Sequence, residues 1–326
     1  MSTMRTIEDI QDIGRLPRGL VLTIGNFDGL HRGHQAILAA AKKAAAERQA
    51  HVAVMTFDPH PLAILRPEKV PGVLTSLPQK LRLFQAAGID YTIVIRDSLS
   101  LLNLSPADFV DDFLMSHLSP SVVVEGPNFT FGYGRSGTVQ TLRTLGADRG
   151  FSVVEVPFTE VRLGKERRAM TCSSSLIRGM LEEGNVYAAA QLLSRPYRLM
   201  GEVVVGRGIG RTLGFPTANV HPAQQMLPGE GVYAGYAVIG ATFEEVCFGG
   251  LRRPAALSIG RAKTFVTEHP LLLEAHLLEV NVENLYGKWV GLEFMDWIRS
   301  QRRFASRTQL IDQIEQDCRD ALAVLI

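Results

Sequence analysis

Two histidines three residues apart lie in a glycine-rich segment, "LTIGNFDGLHRGHQAIL" (residues 22–38). Glycine lets the backbone approach a ligand closely and take turns that are barred to other residues. His31 and His34 fall on the turn that opens a predicted helix, so both imidazoles can point at one spot. Amide N–H groups and the positive end of the helix converge on the same spot. This combination suits a triphosphate, because imidazoles can donate hydrogen bonds to phosphate oxygens as charge builds in an in-line displacement.

Two other interpretations of the histidine pair stay open on spacing alone. His-x-x-His can be a metal-binding pair, although no third ligand stands nearby in the sequence. The pair can also belong to a helix cap whose histidines do no chemistry. The pattern that flanks the histidines favours the phosphate interpretation over both.

A second candidate anion site is "CSSSLIR" (residues 172–178). Serines in front of an apolar-periodic segment offer helix caps and leave N–H groups for an anion. Arg178 follows about one turn later and can reach the same phosphates with its planar guanidinium. The alternative is an ordinary helix cap followed by a surface arginine.

The segment "GRGIGRTLGFPTAN" (residues 206–219) resembles a dinucleotide-binding fingerprint only superficially, since Pro216 forbids the required helix and the glycine spacing is wrong. As a flap over phosphates, with Gly206, Gly208 and Gly210, followed by a turn, it fits better. Thr217 and Asn219 offer hard oxygen ligands suited to Mg²⁺ on ATP phosphates.

The elements that position these residues change character along the chain. Up to about residue 156, short apolar strands (residues 20–25, 51–57, 91–95, 121–125 and 151–156) alternate with helices (residues 34–50, 78–88, 138–149 and one capped by Ser105). This pattern predicts an α/β fold with a doubly wound parallel sheet covered on both faces. Ligands bind beyond the carboxyl ends of such strands, where the histidine segment falls.

From about residue 195, strands follow one another without helices, which predicts an antiparallel β-barrel or sandwich. The last segment opens with a capping box, Ser306 and Gln309, and carries Leu310, Ile314 and Cys318 on one side, which is typical of an amphipathic closing helix. The expected domains are residues 1–190 and 195–326.

Composition narrows the class of protein. Lys and Arg number 34 against 33 Asp and Glu, so the chain is not a basic body that grips nucleic acid. No apolar run approaches 18 residues and the N-terminal segment has no apolar core, so neither a membrane span nor a secretion signal is expected. Three scattered cysteines form neither a disulfide framework nor a metal knuckle, which favours a reducing cytoplasm.

Taken together, the motifs resemble the bacterial bifunctional riboflavin kinase/FAD synthetases. The pattern G-x-F-D-G-x-H-x-G-H is followed in order by "TFDPHP" (56–61), "LTSLPQKL" (74–81), "NFTFG" (128–132) and "CSSSLIR". "GFPTAN" (214–219), "GVYA" (231–234) and "LYG" (285–287) resemble the kinase module of the same family. The resemblance covers nearly the whole chain and implies a nucleotidylyltransferase domain followed by a riboflavin kinase barrel.

The resemblance implies that the first module adenylylates FMN with ATP, releasing pyrophosphate, and that the second phosphorylates riboflavin to FMN with ATP and Mg²⁺. Its substrates would be small molecules, with no nucleic acid or membrane partner, and a homo-oligomer stays open. The implied residues of the first site are His31, His34 and Arg178 for catalysis, Gly25, Phe27, Asp28, Gly33, Ser173, Ser174 and Ser175 for ATP, and His60 and Asn128 for the flavin. Those of the second site are Gly206, Gly208, Gly210, Pro216 and Thr217 for ATP, Thr217 and Asn219 for the metal, and Glu274 as the base.

Two of these implied residues have plainer explanations. Glu274 alternates with leucines and can belong to the wet face of a strand. His60 can be an exposed histidine in a β-turn.

The second module departs from the family pattern at Ala262 and Lys263, which precede Thr264, and at Asn284. An FMN adenylyltransferase with an impaired barrel is therefore the alternative function.

Overall fold

The computed structural model describes residues 4–164, 168–206, 208–261, 271–278 and 285–326. The chain divides into two compact units. The first comprises Met1–Pro71, Leu77–Glu160 and Met170–Cys172, and the second comprises Gly72–Ser76, Val161–Ala169 and Ser173–Ile326. The domain boundaries expected from the sequence stay a prediction.

The first unit contains a six-stranded parallel sheet in the order β1-β4-β3-β2-β5-β8. The strands of this unit are β1 (Arg5–Ile7), β2 (Val21–Ile24), β3 (Val52–Phe57), β4 (Tyr91–Ile95), β5 (Val122–Glu125), the short pair β6 (Thr130–Phe131) and β7 (Gly137–Thr138), and β8 (Ser152–Glu155). Alternate residues of the central strands enter two separate apolar clusters, one with Leu22 and Val123 and one with Val21 and Val122. The sheet is therefore buried on both faces, and the predicted doubly wound fold is confirmed; only the edge strand β1 was not predicted.

The helices of this unit are α1 (Ile10–Ile13), α2 (Arg32–Arg48), α3 (Pro61–Leu65), α4 (Leu77–Ala86), α5 (Leu99–Leu102), α6 (Pro106–Asp108) and α7 (Val139–Arg149). Ser105 caps α6 as predicted, its hydroxyl accepting the Asp108 N–H, and the chain continues as a π-helix over Phe109–Leu118. Short 3₁₀ turns occupy Pro67–Lys69 and Tyr133–Arg135. No helix in the described ranges is both long and apolar enough to cross a membrane.

Glu125 ends β5 and is only 3% exposed. The pairing of β2 with β5 reaches Leu22 and Val123, and one step beyond it the Glu125 Oε1 atom accepts the Ile24 N–H at 2.6 Å. A carboxyl thus continues the strand ladder where the histidine loop leaves the sheet. Burial raises the pKa of Glu125 well above its usual range, and the Ile24 N–H only partly opposes this effect.

The second unit contains a closed antiparallel barrel in the order β11-β12-β15-β14-β13-β16. A two-stranded sheet, β9 (Glu160–Leu163) and β10 (Arg168–Thr171), precedes this barrel in the chain. The barrel strands are β11 (Tyr197–Val204), β12 (Ala218–Pro222), β13 (Gly231–Gly240), β14 (Arg253–Arg261), β15 (Leu271–Leu277) and β16 (Trp289–Arg299). The helices of this unit are α8 (Ser174–Glu182), α9 (Val186–Leu193), α10 (Ile209–Thr212), α11 (Phe243–Phe248) and α12 (Arg307–Leu325).

The barrel corrects one expectation about "GFPTAN". Asn219 lies in a strand rather than in a turn, because β12 pairs with both β11 and β15 and is needed to close the barrel. Of the two predicted arrangements, barrel and sandwich, the barrel is observed.

Helix α12 is held against the barrel by a buried ion pair. Asp317 accepts two hydrogen bonds from Arg299, at 2.6 and 2.5 Å, and the two side chains are only 6% and 11% exposed. Ser306 caps the helix as predicted, with its hydroxyl accepting the Gln309 N–H at 3.2 Å. The predicted capping box is modified, because the side-chain amide oxygen of Gln309 accepts the N–H of Ala305 and not the N–H of the cap residue Ser306.

Removing the Asp317 carboxylate should destabilise the barrel, because Asp317→Ala leaves the Arg299 charge buried without its partner. A loss of about 3–5 kcal/mol in the free energy of unfolding is expected. Asp312→Ala, at an exposed position of the same helix, is the control and should change stability little. Chemical denaturation of the full chain measures both; equal effects of the two substitutions would contradict the role of the ion pair.

Replacing Glu125 with glutamine should change how stability depends on pH. A carboxyl whose pKa is raised on folding holds its proton more tightly in the folded state, so it costs stability as pH rises above about 4.3. Glu125→Gln keeps an acceptor for Ile24 and cannot ionise. Its unfolding midpoint relative to the parent protein should therefore rise between pH 5 and pH 8 in calorimetry. A difference that is constant with pH would show that Glu125 is already ionised in the folded protein.

Candidate active sites

The loop that joins β2 to α2 has an unusual backbone. Phe27 and Leu30 have φ angles of +49° and +38°, and Gly29 between them has a φ of +82°. Residues other than glycine adopt such backbone angles at a cost of about 1–3 kcal/mol each. Phe27 and Leu30 are 2% and 3% exposed, so burial of two apolar side chains offsets the strain. At the start of the loop, the Gly25 N–H donates to the Met55 carbonyl at 3.0 Å.

His31 is the N-cap of α2. Its Nδ1 atom accepts the His34 N–H at 3.3 Å, so the neutral ring carries its proton on Nε2. Of the two alternatives to a phosphate site, the helix cap is therefore real for His31, and it fixes which nitrogen can act as a donor. A Cβ atom at Gly33 would lie 3.1 Å from both Cε1 and Nδ1 of this ring, so the glycine makes room for the imidazole.

The two imidazoles are stacked, with ring centroids 3.7 Å apart and planes at 17°. His34 also packs edge-to-face with Phe27, with ring centroids 5.1 Å apart, and Phe27 in turn packs on Phe84. Burial, followed by the electrostatic interactions with His31 and Lys80, lowers the pKa of His34 well below its usual range. His34 is thus neutral at pH 7, and its buried Nδ1 atom has no hydrogen-bond partner among the described residues.

His60 follows β3 at the same edge of the sheet. Its Nδ1 atom accepts the Leu62 N–H at 3.1 Å and caps α3, while Nε2 lies 3.0 Å from the amide nitrogen of Asn26 in the histidine loop. The ring is half-buried rather than exposed in a free turn. The structure therefore brings together His60 and the loop that carries His31. Asp28 is also buried, at 8% exposure, whereas Asn128 after β5 is exposed.

In "CSSSLIR", Cys172 belongs to the first unit and residues 173–178 belong to the second. Ser173 caps α8 as predicted, with its hydroxyl accepting the Leu176 N–H at 3.2 Å. Ser174 and Ser175 form the first turn of that helix, and Arg178 donates from Nε to the Gly72 carbonyl at 2.7 Å. The predicted cap is confirmed, and the anion site at this cap stays a prediction.

A cavity of about 310 Å³ in the second unit gathers most of the residues predicted there. Gly208, Gly210, Thr217, Asn219 and Glu274 line this cavity. Strand register explains part of the arrangement, because Asn219 of β12 stands directly opposite Glu274 of β15. Glu274 thus lines a cavity, whereas the plainer explanation placed it on a solvent-exposed face of the strand.

Two glycines fit closely around the candidate oxygen ligands. A Cβ atom at Gly206 would fall 2.0 Å from the Asn219 amide nitrogen, and one at Gly210 would fall 3.1 Å from the Thr217 hydroxyl. Pro216, which directly precedes Thr217 and is exposed, accepts a hydrogen bond through its carbonyl from His276 Nδ1 at 2.8 Å. A hydroxyl and an amide oxygen lining one cavity are a donor set that suits Mg²⁺.

Several cavity residues were not predicted as functional. They are Phe215, Ser258, His276, Arg299, Gln301 and, on α12, Leu310, Ile314 and Cys318. The apolar stripe of α12 was recognised in the sequence, but a stripe looks the same whether it covers a packed core or one wall of a cavity. Ala262, Lys263 and Asn284, where the sequence departs from the family pattern, lie outside the described residues, as does Thr264.

Comparison with known proteins finds two family matches. A model described as FAD synthetase matches residues 14–168, and one described as riboflavin kinase matches residues 193–325. The Escherichia coli K12 bifunctional riboflavin kinase/FMN adenylyltransferase is 36% identical over 316 residues, which is 96% of either chain. The Bacillus subtilis 168 protein of the same name is 34% identical over 308 residues, covering 93% of this chain and 91% of its own.

A solved structure is similar to 97% of the chain. The crystal structure of a Streptococcus pneumoniae protein described as a macrolide-efflux protein has a TM-score of 0.81 and 27% identity, and 97% of each chain is covered. The relatives in the preceding comparison exceed 30% identity over almost their full length. The chain therefore belongs to the family of bifunctional riboflavin kinase/FMN adenylyltransferases.

Proposed function

We propose that the histidine loop of the first unit adenylylates FMN with ATP and that the barrel cavity phosphorylates riboflavin to FMN. The observation that carries this proposal is the stacked pair His31 and His34 at the N-terminus of α2, beyond the carboxyl ends of the parallel strands. The riboflavin kinase match spans the barrel, so the bifunctional interpretation holds and the adenylyltransferase-only alternative does not. A cytoplasmic location and a homo-oligomer stay predictions from the sequence.

In the adenylylation, an oxygen of the FMN phosphate attacks the α-phosphorus of ATP. The bond from that phosphorus to the bridging oxygen breaks, and pyrophosphate leaves. His31 presents its Nε2–H as a donor because Nδ1 is engaged in the helix cap. His34 is a neutral ring and can donate from whichever nitrogen carries the proton. Donors that are fixed before the reaction stabilise the developing charge without reorganisation.

The other residues of this site take supporting roles in the proposal. Phe27 packs behind His34 and keeps its ring in place, and Gly33 leaves room for the His31 imidazole. Gly25 and Asp28 of the first unit are proposed to hold ATP, and His60 and Asn128 to contact the flavin. Ser173, Ser174, Ser175 and Arg178 stay ATP-binding residues predicted from the family resemblance. The contact of His60 with Asn26 supports its assignment, because it places the ring beside the histidine loop.

In the phosphorylation, Glu274 accepts the proton of the ribityl 5′-hydroxyl as that oxygen attacks the γ-phosphorus of ATP. ADP leaves, and FMN is the product. Thr217 and Asn219 would hold Mg²⁺, which when bound neutralises phosphate charge. Gly206, Gly208, Gly210 and Pro216 are proposed to lie against the ATP phosphates. Gly206 and Gly210 leave room for the Asn219 and Thr217 side chains, and Gly208 and Gly210 line the cavity. The apolar side chains of α12 suit the flavin ring.

Replacing His31 or His34 with alanine should slow FAD formation from FMN and ATP by roughly 10²–10³-fold, because each change removes a fixed donor at the reacting phosphates. Riboflavin phosphorylation by the same preparations should be unchanged. His51→Ala, an exposed histidine of the first unit, is the matched control. Steady-state assays of both reactions decide the matter; if both activities fall together in a folded variant, the two-site assignment is wrong.

Glu274→Gln should produce the opposite pattern. FMN formation from riboflavin should fall by roughly 10²–10⁴-fold, since the base is lost and the shape is kept. FAD formation from supplied FMN should continue at the rate of the parent protein. Glu202→Gln, on an exposed face of the barrel, serves as control. A Glu274→Gln protein that still phosphorylates riboflavin normally would remove Glu274 from its proposed role.

A further inference from the structure

Lys80 is a buried cation that the proposed mechanism does not use. It lies on α4 within the "LTSLPQKL" segment and is only 7% exposed. Lysine is almost never buried to this extent unless its charge is compensated. What surrounds the ammonium group therefore decides what Lys80 does.

The ammonium lies at the edge of the sheet where the histidine loop begins. Its Nζ atom donates to the Thr56 hydroxyl, near the end of β3, at 3.5 Å. The Thr56 hydroxyl in turn donates a hydrogen bond to the Asn26 carbonyl at 3.2 Å. Asp28 in the histidine loop and Asp58 after β3 act on Lys80 by charge, and Lys80 acts in the same way on His34. Lys80 therefore shares the electrostatic environment of the reacting site.

The surroundings compensate this charge incompletely. An ammonium has three donors, and the bond to Thr56 is long, at the limit of a hydrogen bond. Asp58 also forms an ion pair with Arg96, so its negative charge is divided between Arg96 and Lys80. Burial lowers the pKa of Lys80 despite the two aspartates, which oppose that effect. The bond to Thr56 therefore leaves donor capacity on the ammonium, which the oxygens of an anion can use.

We propose that Lys80 binds the polyphosphate of the nucleotide at the adenylylation site, as a substrate-binding residue additional to the two histidines. This inference rests on the proposed function of the histidine loop. Phosphate oxygens supply both the negative charge and the acceptors that the ammonium lacks, and hydrogen bonds between charged groups are the strong ones. Pyrophosphate, the leaving group, gains charge as it departs, so Lys80 acts on the rate as well as on binding.

Lys80→Met tests the proposal, because methionine keeps the length and apolar stem and removes the charge. FAD formation from FMN and ATP should fall by roughly 10²-fold, the scale for one fixed donor. Calorimetric titration with inorganic pyrophosphate should show weaker binding than in the parent protein. Riboflavin phosphorylation should be unchanged, and the unfolding midpoint should stay or rise, because a poorly compensated buried charge is gone. Lys43→Met, at an exposed position of α2, is the matched control.

The outcomes separate the two hypotheses. If the parent protein makes no FAD from FMN and ATP, the proposed function fails. If the parent is active and Lys80→Met is equally active and binds pyrophosphate equally well, the inference about Lys80 fails. A lower unfolding midpoint with unchanged pyrophosphate binding would show a structural ion-pair role and also overturn it. Should Lys80→Met not fold, Lys80→Gln, which keeps a polar end without the charge, is judged by the same criteria.

Discussion

The first site depends on one constraint, which is the sharp exit of the chain from β2 into α2. Phe27 and Leu30 must take left-handed backbone angles for this turn, and their side chains must be buried to hold them there. The turn makes His31 the cap of α2, and the cap determines both the direction of its ring and the nitrogen that carries the proton. His34 then stacks on His31 and against Phe27. A strained turn and a helix cap thus create the paired donors.

The two proposed sites would hold phosphate in different ways. In the first, backbone amides, a helix end and neutral imidazoles supply donors, and Lys80 is a cation placed among them. In the second, strand pairing sets a carboxylate beside an amide in the wall of a cavity, and glycines make room for the candidate metal ligands. The first arrangement suits the departure of a pyrophosphate, and the second suits deprotonation of a hydroxyl next to a metal-bound nucleotide.

Much of this structure was predictable from local pattern. Buried parallel strands are recognised as apolar runs, and Ser105 and Ser306 mark helix starts. The histidine spacing predicts the first site. Strand β12 was not predicted because Pro216 and Thr217, directly before it, are typical of a turn. Its pairing with β11 and β15 is a tertiary contact that a local sequence pattern does not show.

The burial of Glu125 and Lys80 could not be predicted from the sequence either. Single-sequence patterns place charged residues at the surface, and only tertiary contacts show that Glu125 extends a ladder and that Lys80 points inwards.

A crystal structure with a non-hydrolysable ATP analogue would test the phosphate site at the histidine loop. The account predicts phosphate oxygens within hydrogen-bond distance of the imidazoles of His31 and His34 and of the first amides of α2. A triphosphate bound away from residues 25–34 would contradict it.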